Sequence, residues 1–207
     1  MMKLNKQAVT IYIVDDEFSI RDSLSMLLEL SGFKAESYES AQVFLEHFDP
    51  DQPGCLILDM RMPDMDGLEL QEELVQRCSE LPIIFISGHG DVPISAKAFK
   101  AGAVDFIEKP FDNQLLLARI DEVVDKLLLT WPTILKKKQI LERYASLTSR
   151  EKEIFLLIVH NNSSKEAAQN LKISNRTVDV HRAHIMRKMQ ADSLSTLIMM
   201  AVTGGIL

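Results

Sequence analysis

Five side chains suited to phosphate chemistry occupy similar places in this chain. Asp15 with Asp16, Asp59, Ser87 and Lys109 each fall within about two residues of the end of a short apolar run. Adjacent carboxylates with a third acid make an oxygen site for a small divalent cation, and Mg²⁺ in particular favours few carboxylates supplemented by water and phosphate. In such a site Asp59 can also act as a nucleophile that forms an aspartyl phosphate, with the cation neutralising the incoming charge. Ser87 can hydrogen-bond to phosphoryl oxygens and Lys109 can pair with them. Taken alone, Ser87 reads equally well as a helix-starting hydroxyl ahead of Asp91, and Lys109 as a surface lysine. Their joint appearance at the ends of several runs carries the chemical reading.

The runs themselves are Val9–Val14, Ala35–Tyr38, Cys55–Leu58, Ile83–Ile86 and Val104–Ile107. They are short, rich in Val, Ile and aromatics and mostly without polar alternation, as strands covered on both faces should be. Helical patterns lie between them. Residues 18–31 align Ile20, Leu24, Leu27 and Leu28, residues 67–78 align Leu68, Leu70 and Leu74, and residues 92–100 carry Ala96, Phe99 and Lys100. After Pro110 comes a pattern with Leu116, Ile120, Val123 and Leu127 on one face. Five strands alternating with helices predict an α/β fold, an open parallel sheet with helices on both faces. Ligands of such sheets collect at the carboxyl ends of the strands, near the switch in strand order. Pro63 and Gly67 fix the turn after Asp59, and Asp66 is placed to cap the next helix.

Composition narrows the class. The chain has 207 residues, 46% hydrophobic and 26% charged, room for one large domain or two modest ones and unlike a disordered or collagenous chain. It has no long uncharged apolar stretch, and its start lacks a signal peptide's features, so a cytoplasmic protein with no membrane partner is expected. Cys55 and Cys78 make neither a metal cluster nor a disulfide framework. The net charge of −7 is unevenly spread: residues 1–130 hold 11 Lys and Arg against 24 Asp and Glu, residues 131–207 hold 12 against 6. An acidic part suited to a cation and a basic part suited to nucleic acid point to two units with different partners.

The motifs Ile13-Val14-Asp15-Asp16-Glu17, Leu58-Asp59-Met60-Arg61-Met62-Pro63-Asp64-Met65-Asp66-Gly67, Ser87-Gly88-His89-Gly90-Asp91 and Asp105-Phe106-Ile107-Glu108-Lys109-Pro110-Phe111 resemble the receiver domain of two-component response regulators. The resemblance implies a flavodoxin-like five-stranded receiver over residues 1–128. It also implies that Asp59 accepts phosphate from a sensor histidine kinase, with Lys109 contacting the phosphoryl group. Asp16, Asp59 and the Arg61 carbonyl would ligate Mg²⁺, Asp15 largely through water, and Ser87 with Phe106 would form the coupled switch. The family commonly has a cis bond at the position of Lys109-Pro110.

Beyond residue 128 the signals are helical. Pro132 is expected to break or restart a helix after Trp131, leaving residues 129–145 as a mostly helical linker whose Lys136–Lys138 face is solvated. From residue 146 to 207 the pattern is four helices. Thr148-Ser149-Arg150-Glu151 and Ser163-Ser164-Lys165-Glu166 are capping boxes, a third helix covers Arg176–Met189 and a fourth follows Ser193. Val178, Ile185 and Met189 should pack inward with Ile173. Two short helices joined by a tight turn, the second rich in Arg, His and Lys, is helix-turn-helix geometry for the DNA major groove. His181 and His184 lack a third metal ligand and read as structural or phosphate-contacting.

The stretch from Leu147-Thr148-Ser149-Arg150-Glu151 through Thr177-Val178-Asp179-Val180-His181-Arg182-Ala183-His184-Ile185-Met186-Arg187-Lys188-Met189 resembles the LuxR/NarL-type DNA-binding domain, and with the receiver it is similar to FixJ-type regulators. Matching positions put Asp179, Val180 and Ala183 at base edges with Arg182 and His181 close by. Lys165, Arg176, Thr177, Arg187 and Lys188 would serve the DNA backbone. Where relatives usually have a glycine before the second of these helices, this chain has Asn161-Asn162-Ser163, and asparagine tolerates the left-handed turn. The resemblance implies a transcription regulator, not an enzyme, that dimerises on phosphorylation, with RNA polymerase as a further partner. Met199 and Val202 are left as an apolar strip for a second copy. Arg143-Tyr144 and the receiver loop lean toward regulators of tetrathionate respiration. The alternative, a Mg²⁺-dependent phosphohydrolase of the haloacid-dehalogenase kind, would need its nucleophile on the first strand as Asp-x-Asp, where this chain has Asp15-Asp16-Glu17.

Overall fold

The computed structural model describes residues 5–77, 79–88 and 92–207; Cys78 and His89-Gly90-Asp91 lie outside it. Its Cα positions divide into two compact units, Met1–Trp131 and Pro132–Leu207.

In the first unit the strands are β1 (Thr10–Val14), β2 (Lys34–Tyr38), β3 (Gly54–Asp59), β4 (Ile83–Ser87) and β5 (Asp105–Glu108). They alternate with α1 (Phe18–Leu30), α2 (Ala41–His47), α3 (Gly67–Gln76), α4 (Val92–Lys100) and the start of α5 (Asn113–Ala145). All pairs are parallel and the order is β2-β1-β3-β4-β5. Every residue of β1, β3 and β4 is buried, which is why those strands read as unbroken apolar runs, whereas the edge strands β2 and β5 carry exposed residues. One side of the sheet packs Tyr12, Val14, Leu56, Leu58 and Phe85 against Phe44, Leu70, Leu74 and Ala98. Cys55 is fully buried within β3, and burial pushes its thiol up to about 12.

The order reverses between β1 and β3, so the crevice above their carboxyl ends is the switch point of the sheet. Val14 is paired with Leu58, which sets Asp15 beside Asp59 across that crevice.

Pro132 does not break the chain's path. It lies inside α5, a single helix of 33 residues that spans the whole of the expected linker. A proline there removes one intrahelical N–H and crowds the carbonyl four residues back. Trp131 and Ile140, on either side of it, are both buried.

The second unit adds α6 (Ser149–Val159), α7 (Ser164–Leu171), α8 (Asn175–Met189) and α9 (Leu194–Thr203) to the end of α5. Thr148 and Ser163 close the two expected capping boxes, and Ser174 and Ser193 cap α8 and α9 through the Thr177 and Thr196 amides. Val178, Ile185 and Met189 are fully buried with Ile154, Phe155, Leu197 and Ala201, and Ile173 packs on that cluster. Asn161 adopts φ 65, the left-handed turn in which it replaces a glycine. Lys172 and Gln190 end α7 and α8 in the same conformation.

Candidate phosphoryl site and nucleic-acid interface

The end of β1 turns straight into α1, and the turn is held by side chains. Asp15 is completely buried; its Oδ1 accepts the Glu17 amide at 2.8 Å and its Oδ2 accepts Lys109 Nζ at 2.8 Å. Arg21 Nη1 donates to the carbonyls of both Asp15 and Asp16, at 2.7 and 2.9 Å. Asp16 itself is exposed at the mouth. Arg21's contribution left no mark in the sequence, because the bonds run to backbone carbonyls.

Asp59 closes β3 and is 6% exposed. Its Oδ1 accepts Lys109 Nζ at 2.6 Å, and its Oδ2 accepts the Arg61 amide at 2.6 Å. Burial pushes the Asp59 carboxyl up, against the opposing pull of Lys109 and the Arg61 N–H. Burial works against the Lys109 ammonium, but its bonds to Asp15 and Asp59 outweigh that and hold its pKa above the ordinary value. Lys109 reaches the pair from the end of β5, where the Lys109-Pro110 bond is cis. Ser87 ends β4, is buried, and makes a long contact to the Gly88 carbonyl at 3.4 Å. Phe106, half-buried on β5, lies 6.4 Å from the ring of Phe85.

The structure therefore brings Asp15, Asp59 and Lys109 into direct contact and sets Asp16, Ser87 and the Arg61 backbone on adjoining strand ends. Among the described residues no three or more His, Cys, Asp or Glu side chains gather as a ready cation cage. The donor set still suits Mg²⁺: one ammonium stands against two carboxylates, Asp16 adds a third, and that ion needs only one or two carboxylates with water and phosphate.

The turn after Asp59 rests on two residues in different ways. Asp64 carries the positive φ of 66, whereas Gly67 starts α3 so close that a Cβ there would lie 2.5 Å from the Asp59 carbonyl oxygen and 2.9 Å from Phe85. Asp66 caps that helix in a box with Glu69.

On α8, successive side chains turn by about 100°. Arg176, Asp179, Val180, Ala183 and Arg187 share one exposed stripe, opposite Val178, Ile185 and Met189. Thr177 and, on α7, Lys165 are exposed beside it. Three expected DNA contacts lie on the flank instead. Lys188 Nζ donates to Glu151 Oε2 at 2.6 Å and to the Ser146 carbonyl at 3.2 Å, Arg182 Nη1 donates to Ser164 Oγ at 3.0 Å, and His181 is half-buried. Lys188 and Arg182 thus brace α8 on its neighbours, a task that depends on partners far away in sequence. His184 lies 3.9 Å from Glu151.

Residues 11–121 match the family model of the response regulator receiver domain, and residues 145–201 that of the bacterial regulatory proteins of the luxR family. The chain is 43% identical over 197 residues to the transcriptional regulatory protein FixJ of Rhizobium meliloti, covering 95% of this chain and 96% of FixJ. This chain is a FixJ-like response regulator. It is also 40% identical over 195 residues to the response regulator protein TodT of Pseudomonas putida, covering 94% of this chain and 86% of TodT. Among solved structures, the response regulator StyR matches with a TM-score of 0.67 at 40% identity, covering 94% of this chain and 98% of StyR. Full-length FixJ from B. japonicum matches with a TM-score of 0.55 at 39% identity, covering 96% and 98%.

FixJ-like response regulators control transcription and are not enzymes. A receiver joined to a luxR-type domain implies a kinase on one side and DNA on the other. The matches to receiver and luxR-type regulators leave the haloacid-dehalogenase alternative without support. No described helix is long and apolar enough to cross a membrane. The Arg143-Tyr144 junction serves packing: Arg143 donates to the Met189 carbonyl at 3.3 Å, and Tyr144 meets Phe155 edge-on at 5.1 Å.

Proposed function

We propose that Asp59 is the phosphoacceptor of a two-component phosphorelay and that its modification turns on operator binding by α8. An Asp59 carboxylate oxygen forms the new P–O bond as the P–N bond to a kinase phosphohistidine breaks, and the departing imidazole takes up a proton. The supporting observation is the bridge of Lys109 between Asp15 and Asp59 at the switch point. Lys109 and Ser87 then turn to the phosphoryl oxygens, and Phe106 turns inward. Mg²⁺, which receiver domains generally bind, supplies charge neutralisation; Asp16, Asp59 and the Arg61 carbonyl would hold it, with Asp15 acting through water.

Phe99, Val104 and Leu115, each about half exposed on α4, the α4–β5 turn and α5, favour pairing of two receivers on that face. Met199 and Val202 on α9, at 64% and 61% exposure, favour pairing of the DNA-binding units. Two copies of α8 then read half-sites one helical turn, about 34 Å, apart. The division of labour is a receiver over 1–128, a helical connection over 129–145 and the DNA reader over 146–207, working in the cytoplasm with RNA polymerase as the further partner.

Incubation with acetyl phosphate and Mg²⁺ tests the reading. Acid-stable, base-labile phosphate on the wild type, absent from Asp59→Asn and absent with excess chelator, is expected, together with a dimer on gel filtration. Equal labelling of Asp59→Asn would overturn it.

A further inference from the structure

Gln71 is a fully buried polar residue of the receiver core that the phosphoryl site does not use. It lies on α3 between Leu70 and Leu74 and is 1% exposed. Its Nε2 donates to the Ala98 carbonyl of α4 at 3.1 Å, and among the described residues its Oε1 meets no donor. The acceptor fixes which way the amide points, since the flipped amide would set two oxygens against each other.

The Ala98 carbonyl is a special atom in this fold. It also accepts the Ala103 amide at 2.9 Å, while the Gly102 amide bonds the Phe99 carbonyl at 3.0 Å and Gly102 takes φ 99. That is the glycine-ended cap that stops α4. One residue later the Val104 amide bonds the Ile83 carbonyl at 2.8 Å, and the chain enters β5, which carries Phe106 and leads directly to Lys109. Gln71 thus grips the point at which α4 becomes β5. Beyond it the α3–α4 seam opens into a cleft of about 280 Å³ lined by Glu72, Val75, Gln76 and Ala101, so the seam's outer edge is not closed by packing. A buried amide with one half unpaired adds little stability for its volume, since an apolar side chain of that shape would do as well. What it adds is register, a defined seat for the end of α4.

We infer that Gln71 is a positioning residue of the switch, whose bond to the Ala98 carbonyl holds α4 and β5 in the arrangement that goes with a free Asp59 carboxylate. The inference rests on the phosphorelay reading, because the movement it restrains is the one phosphorylation drives. Losing one net hydrogen bond from the resting arrangement shifts the balance between two states about fivefold.

The test compares wild type with Gln71→Met and Gln71→Leu, both apolar and of similar volume, on a DNA duplex selected from a random pool by the beryllofluoride-loaded wild type. Without beryllofluoride the variants should bind about fivefold more tightly than wild type; loaded, all three should bind alike. Melting temperature should not fall, and the Ala103 amide should exchange faster with solvent. A merely structural glutamine would lower melting and leave the unloaded affinity unchanged or weaker, and that result overturns the inference. A wild type indifferent to beryllofluoride sinks the phosphorelay reading instead, and Gln71's hold on α4 then stands or falls on the Ala103 exchange.

Discussion

Glu151 and Lys188 form a 2.6 Å ion pair that fastens the last turn of α8 to the capping box of α6. Glu151 is 3% exposed, and the Lys188 bond, with the Thr148 amide, holds its carboxyl down to about 2 from an ordinary 4.5. The depressed value means that the carboxylate's contribution is whole above about pH 4.5 and fades as pH falls toward 2. Thermal melts between pH 6 and pH 3 should show the second unit of wild type losing stability faster than that of Glu151→Gln. At pH 7 that substitution should cost about 1–3 kcal/mol.

Lys188 and Arg187 are neighbours in different settings, the first bonded to Glu151 and the second exposed. Arg187→Ala and Arg176→Ala should each lower the slope of log affinity against log salt by about 1 in gel shifts. Lys188→Ala should leave that slope near wild type and lower the melting temperature.

Asp179 sits on the exposed stripe of α8 and can only accept hydrogen bonds, chiefly from cytosine N4, while phosphate repels it. Asp179→Ala should reorder preference among operator variants by about 1–3 kcal/mol at one base pair without loss of overall affinity. An unchanged ranking would remove Asp179 from base reading.

Gly67→Ala tests the close approach at Asp59. The added methyl meets the Asp59 carbonyl oxygen and Phe85, neither of which is a flexible tip, so destabilisation of about 1–3 kcal/mol is expected. Phosphate uptake from acetyl phosphate should slow with it.

Lys109→Ala leaves the fully buried Asp15 and the neighbouring Asp59 without their shared cation. Denaturant unfolding at pH 7 should show a loss of roughly 3 kcal/mol, the scale for an uncompensated buried charge. Added Mg²⁺ should restore part of it.

Much of this was legible in the residues. The strands covered on both faces announced themselves as continuous Val- and Ile-rich runs, and the reactive side chains stood where those runs stopped. The caps at Asp66, Thr148, Ser163 and Ser193 are local patterns and read directly. What the sequence hid depends on neighbours brought from afar. Pro132 stays inside α5 between the buried Trp131 and Ile140, Lys188 bonds Glu151 of another helix, and Arg21 acts through backbone carbonyls. Gly67 looked like a turn residue, but its need is for room, and the left-handed residue is Asp64.

Both oxygens of Asp59 are already in use, one by an ammonium from β5 and the other by the amide two residues along its own chain. A phosphoryl group on either oxygen, as a mixed anhydride, would make that oxygen a far poorer acceptor, and the donor bonded to it would need a new partner. Modification of this carboxylate would therefore be felt, through whichever oxygen carries the group, either in the loop after β3 or in the chain just past β5.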